Sequence, residues 1–231
     1  MKRLILLLFC LFVLVSSSFA WMTLPVVGGG GGGPCGSCEV GFDSGDPGGT
    51  WTSDGDYGNT TPAMCGAQNV RLDAAESIVY DPDYGATEMY FRYAYHFADD
   101  IDADEPDMLK VLNAGGGAIS NVGFTSTNYI SCMSKNGTSD DSGGIFTASA
   151  GETYYITVYA ASASDGVSTD GVTTAWVSID GAWVQACSST DGDDDASIDR
   201  FNFTNKQNGT GIEWGYFDCF SDSATVFGDL P

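Results

Sequence analysis

The stretch Met89-Tyr-Phe-Arg-Tyr-Ala-Tyr-His-Phe97 alternates without a break. Met89, Phe91, Tyr93, Tyr95 and Phe97 point one way and Tyr90, Arg92, Ala94 and His96 the other, because an extended strand places successive side chains on opposite faces. One face is therefore a core wall. The other is an aromatic and polar surface, and it is the first place to look for a ligand.

The segments on either side carry the same signal. Short runs rich in Val, Ile, Thr, Tyr and Phe, bounded by Gly, Asp, Asn and Ser, predict strands at Glu39–Phe42, Ala67–Leu72, Ser77–Tyr80, Glu88–Phe97, Met108–Asn113 and Ala118–Phe124. They predict more at Tyr129–Met133, Thr153–Ala161, Thr173–Ile179, Ala182–Ala186, Ser197–Phe203 and Ile212–Phe220. Asp180-Gly181 joins two of these as a two-residue hairpin turn. Asp104-Glu-Pro-Asp-Met-Leu-Lys110 resembles a helix start, with Pro106 in its first turn, but no amphipathic stripe continues past Gly115, so it is read as strand. The fold class that follows is all-β, a two-sheet antiparallel jelly-roll sandwich without internal repeats.

Residues 1–20 read as a secretory signal. Lys2 and Arg3 precede the apolar run Leu4–Val15, and Ser18-Phe-Ala20 offers small residues where a signal peptidase cuts. An uncleaved anchor is the alternative, since apolar residues resume at Trp21–Val27, although the serines and Pro25 interrupt the run. Gly28–Gly33 is an unbroken glycine run, so residues 21–37 form a flexible tether and residues 38–231 the sandwich domain. The glycines match a dinucleotide fingerprint only formally, because no strand precedes them and no helix follows.

Eight basic residues face 31 acidic ones, a formal net charge of −23. Loss of Lys2 and Arg3 takes this to about −25. Such a surface repels nucleic acid, anionic lipid and polyanionic glycans, and it suits divalent cations and neutral polysaccharide better. After signal cleavage no segment is long and apolar enough to span a bilayer, and the expected location is extracellular or at the cell surface. Of seven cysteines, Cys10 lies in the signal. The other six, Cys35, Cys38, Cys65, Cys132, Cys187 and Cys219, allow up to three disulfides in fifteen pairings. Cys35-Gly-Ser-Cys38 has the spacing of a redox motif but lacks a βαβ setting, and a single histidine argues against zinc.

Four segments in order resemble the concanavalin-A-like (laminin-G-like) jelly rolls. Cys38-Glu-Val-Gly-Phe-Asp-Ser-Gly45 is similar to the opening strand with its acidic pair, and Glu88–Phe97 to the long strand whose arginine points into a groove. Tyr154-Tyr-Ile-Thr-Val-Tyr159 and Ala175-Trp-Val-Ser-Ile-Asp-Gly181 resemble the paired central strands. Gly215-Tyr-Phe-Asp-Cys-Phe220, with Val226-Phe-Gly228 behind it, resembles the closing strand. The resemblance implies a glycan-reading use for the curved sheet. It also implies a structural calcium between opening and closing strands, held here by Glu39 or Asp43 with Asp218.

Alternation on the two central strands sends Ile156, Val158, Val177 and Ile179 to the core and leaves Tyr155, Tyr159 and Trp176 outside. If these strands neighbour Glu88–Phe97, then Tyr90, Arg92, His96, Tyr155, Tyr159 and Trp176 share one shallow trough. Flat rings match the apolar faces of sugars, and Arg and His donate to hydroxyls. The same inventory suits a polysaccharide lyase, in which an arginine neutralises a uronate carboxylate beside a histidine or tyrosine base. The Gln-x-His and lysine-bearing tyrosine strands of such lyases are missing, however, and so is the Glu-x-Asp-x-Glu alternation of retaining hydrolases on this fold. Asp191-Gly-Asp-Asp-Asp195 fails as an EF-hand, because Ala196 stands at the turn glycine and Asn202 at the bidentate glutamate. Asn59, Asn136, Asn202 and Asn208 begin glycosylation sequons.

The expected function is thus a secreted, non-catalytic carbohydrate-binding or adhesive domain. The alternatives are a glycan-active enzyme in the same groove, or a structural surface protein that assembles through residues 21–33 pairing with a neighbour's open sheet edge.

Overall fold

The structure is a computed structural model that describes residues 42, 47–62, 64–98, 105–179, 181–205 and 214–231. All of these lie in the compact unit Gly31–Pro231. The expected signal, the glycine tether, Cys35, Cys38, Glu39 and Asp43 fall outside the described residues.

Fourteen strands are described. They are β1 (Trp51–Ser53), β2 (Asp56–Asn59), β3 (Asn69–Asp73), β4 (Ser77–Tyr80), β5 (Glu88–Phe97), β6 (Glu105–Asn113) and β7 (Ala118–Phe124). Then come β8 (Ile130–Ser134), β9 (Ser139–Asp141), β10 (Thr153–Ala161), β11 (Gly171–Ile179), β12 (Ala182–Gly192), β13 (Ile198–Thr204) and β14 (Trp214–Ser223). One seven-stranded sheet runs β1-β4-β13-β6-β7-β8-β9 and the other β12-β11-β10-β5-β14-β3-β2. Neighbours pair antiparallel throughout, as in β10 against β5 and β13 against β6. The result is the two-sheet jelly-roll sandwich that the alternation predicts.

The core forms where β5 and β14 of one sheet face β13 and β7 of the other. Phe91, Tyr93, Tyr95 and Phe97 are all buried, as their alternation requires. Tyr93 stacks on Phe217 at 5.4 Å, Tyr95 meets Phe203 at 4.8 Å and Phe97 meets Phe124 at 4.8 Å. Aromatic pairs of this kind contribute about 0.5–1.5 kcal/mol each beyond the area they bury. The phenol of Tyr95 is not left unsatisfied: it donates to Asn205 Oδ1 at 3.0 Å, and Asn205 Nδ2 donates to the Leu72 carbonyl at 2.9 Å. Gly215 makes room for that phenol, since a Cβ there would lie 1.8 Å from the Tyr95 oxygen.

A disulfide, Cys132–Cys187, joins β8 to β12 and so staples one sheet to the other across a sequence separation of 55. Loop-closure entropy puts its stabilisation at about 4 kcal/mol. Cys65 and Cys219 are half-cystines as well.

Several element bounds are corrected. Among the described residues Phe42, the end of the expected opening strand, lies outside any strand. Strands β1, β2 and β9 were not expected; β9 is exposed at all three positions, so it carries no apolar alternation. Strand β6 starts at Glu105 rather than Met108, and its pairing with β7 jumps from Glu105–Phe124 to Leu109–Val122, across Pro106, which has no N–H to give. Val226–Gly228 is not part of the closing strand. After the last pair, Ser223 with Tyr90, the chain leaves the sheet.

Candidate functional site

Strands β5, β10 and β11 lie side by side, and their register decides what shares a face. Tyr90 pairs with Tyr159, Arg92 with Thr157, and His96 with Thr153. Thr157 in turn pairs with Trp176, and Tyr155 with Ser178. Directly paired residues project on the same side of a sheet. Tyr90, Arg92, His96, Tyr155, Tyr159 and Trp176 therefore occupy one face, opposite the core. Tyr216 of β14 joins them beside His96, with ring centroids 5.8 Å apart.

At one end Tyr90 and Tyr159 pack ring to ring at 4.6 Å, and the Tyr159 hydroxyl donates to Glu88 Oε2 at 2.7 Å. Burial, then the bond and charge of Glu88, push the Tyr159 phenol up. Burial followed by the Glu88 charge does the same for Tyr90. At the other end, His96 Nδ1 shares a 2.9 Å hydrogen bond with Thr153 Oγ1. Burial lowers the His96 pKa from its ordinary 6.5 and so keeps the ring neutral at pH 7, while the nearby Glu152 charge opposes the shift. Burial raises the Tyr155 phenol, with help from the Asp218 charge. Beyond Thr153, a hollow of about 350 Å³ opens between Thr153, Ser178 and the loop Ile145–Thr147, with Glu152 at its wall.

Arg92 is not the open donor that the alternation suggests. Its Nε donates to Thr157 Oγ1 at 3.0 Å, which leaves Thr157 fully buried. Its Nη1 and Nη2 donate to the two oxygens of Asp229 at 3.1 and 2.7 Å. The guanidinium carbon lies over two aromatic rings, Trp183 at 4.4 Å and Phe227 at 4.2 Å. Its side chain is only 13% exposed. Phe227 also meets Tyr90 edge-on at 6.4 Å. The segment that follows β14 thus folds back over the sheet as a strap, and its carboxylate neutralises the face's central cation. Burial pushes the Asp229 carboxyl up, but hydrogen bonds from Arg92 and from Trp183 Nε1 (3.0 Å), with the Arg92 charge, hold it below the ordinary range.

A second cover lies nearby. Met64 and Cys219 are buried with Ala94, and Cys65, Tyr155 and Tyr216 pack against them. Asp218 anchors this cover: its Oδ2 accepts the N–H of Cys65 and of Gly66, each at 2.9 Å, and its Oδ1 accepts that of Cys219 at 2.8 Å. Asp218, one of the expected calcium ligands, thus caps three backbone amides, while Glu39 and Asp43 lie outside the described residues; among the described residues no group of three or more His, Cys, Asp or Glu side chains gathers around one point. What stays partly exposed is a line of rings, Tyr90, Tyr159, Trp176, Tyr155 and His96.

Two residues central to the face were not singled out from sequence. Trp183 was legible. The Asp180-Gly181 hairpin pairs it with Ser178, so it must share the outward side of Trp176. Asp229 carries no such signal, because its place depends on a chain reversal outside any strand.

No protein-family model and no curated protein matches the chain. Solved structures do. The chain is similar to a "Cellulose induced protein, Cip1", with a TM-score of 0.57, 14% identity and coverage of 82% of this chain and 99% of that one. It is similar to the receptor binding domain of botulinum neurotoxin type G (TM-score 0.50, 12% identity, 78% of this chain and 44% of that one). An alginate lyase from Aplysia kurodai aligns with a TM-score of 0.48 and 12% identity over 73% of this chain and 86% of that one. At such identities the first two likenesses establish a shared fold, and the third carries no further argument.

Proposed function

We propose that the protein is a secreted, non-catalytic carbohydrate-binding domain that reads a neutral polysaccharide along the ring-lined face of the β5–β10–β11 sheet. The observation that carries this is the run of partly exposed rings on one registered face, at whose centre Arg92 is already neutralised by Asp229. Ring faces stack on the apolar faces of sugars without needing charge on either side. A formal charge of −23 works against acidic glycans and leaves neutral ones unaffected. The half-cystines support an oxidising, extracellular setting, and among the described residues no helix is long and apolar enough to cross a membrane.

The test is calorimetric titration of the oxidised protein with cello-oligosaccharides and other neutral oligosaccharides. Binding should fall at least about tenfold in Trp176→Ala and Tyr155→Ala, in line with the loss of a stacking contact. No binding to any neutral glycan, or full binding in both variants, overturns it.

A second reading, lyase chemistry on the same face, is favoured by one observation. His96 is half-buried and neutral, the state a general base needs. It requires Arg92 to leave Asp229 for a substrate carboxylate. The ultraviolet absorbance of unsaturated products, followed with polyuronates in wild type and His96→Ala, decides it. The third possibility, self-assembly through residues 21–33, involves residues outside those described.

A further inference from the structure

We infer that the C-terminal strap Phe227–Pro231 is the groove's own carboxylate occupant, and that Asp229 sets its selectivity for neutral over acidic sugars. The inference rests on the glycan-binding reading of this face and adds what decides ligand charge. Around Asp229 the face has the parts of a complete carboxylate seat. Two guanidinium N–H groups meet two oxygens, an indole N–H donates to one of them, and two aromatic rings contact the cation. A charge-assisted bidentate pair of this geometry takes a planar carboxylate in preference to a hydroxyl.

The ligand in that seat comes from the chain itself. The strap belongs to no strand, and the bond from Leu230 N to the Phe227 carbonyl at 3.1 Å only closes its own turn. Side chains attach it to the sheet: Phe227 on Tyr90 and Arg92, and Asp229 on Arg92 and Trp183. The Asp229 side chain is 50% exposed, so an incoming acidic sugar meets it at once. Such a sugar finds the guanidinium taken and a like charge in front of it. A neutral sugar needs only the rings and is indifferent to both.

The experiment uses the mature oxidised protein, its Asp229→Asn variant and a chain ending at Thr225, each titrated with an oligogalacturonate and a cello-oligosaccharide. Asp229→Asn keeps the strap's shape and removes its charge, and at a half-exposed position it leaves folding intact, which near-ultraviolet circular dichroism verifies. The ratio of galacturonate to cello-oligosaccharide affinity should rise about tenfold or more in Asp229→Asn, and at least as far in the shortened chain. An unchanged ratio in both variants overturns the inference. So does an equal gain for both sugars, which would make the strap a mere steric cover. Wild type that binds no neutral sugar while the variants gain galacturonate would sink the proposed function and spare the strap's role.

Discussion

His96 is the single histidine of the chain, which makes the electrostatics of the face directly measurable. Burial lowers its pKa in the folded state, while in the unfolded chain the ring stays near 6.5. The unfolded state therefore binds more protons in the window below 6.5, and stability, full above 6.5, is lost as pH falls through that window. A ring-proton NMR titration should give a midpoint below 6.5, and Glu152→Gln, which removes the one opposing charge, should lower it further. A midpoint at or above 6.5 would mean that burial does not outweigh the negative charge around the ring. The core side of the same strand offers a steric test. Gly215→Ala would drive a Cβ into the Tyr95 phenol, and overpacking of this kind should cost about 3 kcal/mol or more, read as a lower urea midpoint at unchanged slope. The sequence separates these two faces of β5 cleanly, because strict alternation is a local property. What lies over Arg92 is not local. Asp229 is 137 positions away, and nothing in the spacing of its neighbours marks it as a partner.

Strands with an apolar face announce themselves, and β4, β5, β7 and β10 lie where alternation puts them. Strands without one do not. Strand β2 is Asp-Tyr-Gly-Asn and β9 is Ser-Asp-Asp, and both sit at sheet edges, where one neighbour suffices and little is buried. Strand β14 runs past its expected end because a register shift between Asp218 and Ser221, with Cys219 at a φ of 54°, lets pairing resume after an apparent break. Disulfide arithmetic meets the same limit. Counting cysteines foresees bridges, while pairing Cys132 with Cys187 requires knowing that β8 and β12 sit on opposite sheets at the same end. Replacing both by alanine should lower stability by about 4 kcal/mol, since the staple closes a long loop in the unfolded chain. Thermal or urea unfolding of the double variant checks this, and a loss below about 1 kcal/mol would show that the sheets hold together without it.

Across the whole molecule, the site and the charge act on ligands in different ways. The acidic residues spread a field over the surface that is strong at low salt and short-ranged near physiological ionic strength, where the screening length is about 8 Å. The rings of the face act only on contact. A neutral oligosaccharide exchanges no counterions when it binds, so its affinity should stay within about twofold between 10 mM and 150 mM sodium chloride. An oligogalacturonate must first enter the field of a chain with net charge −23. Whatever affinity it has for the Asp229→Asn protein should therefore rise with salt as repulsion is screened, until the Arg92–carboxylate contact itself begins to weaken. Isothermal titrations at three salt concentrations separate the two behaviours. Weakening of the neutral ligand by salt would place a charged group in its contact set, and would return Arg92 to the role of an open donor.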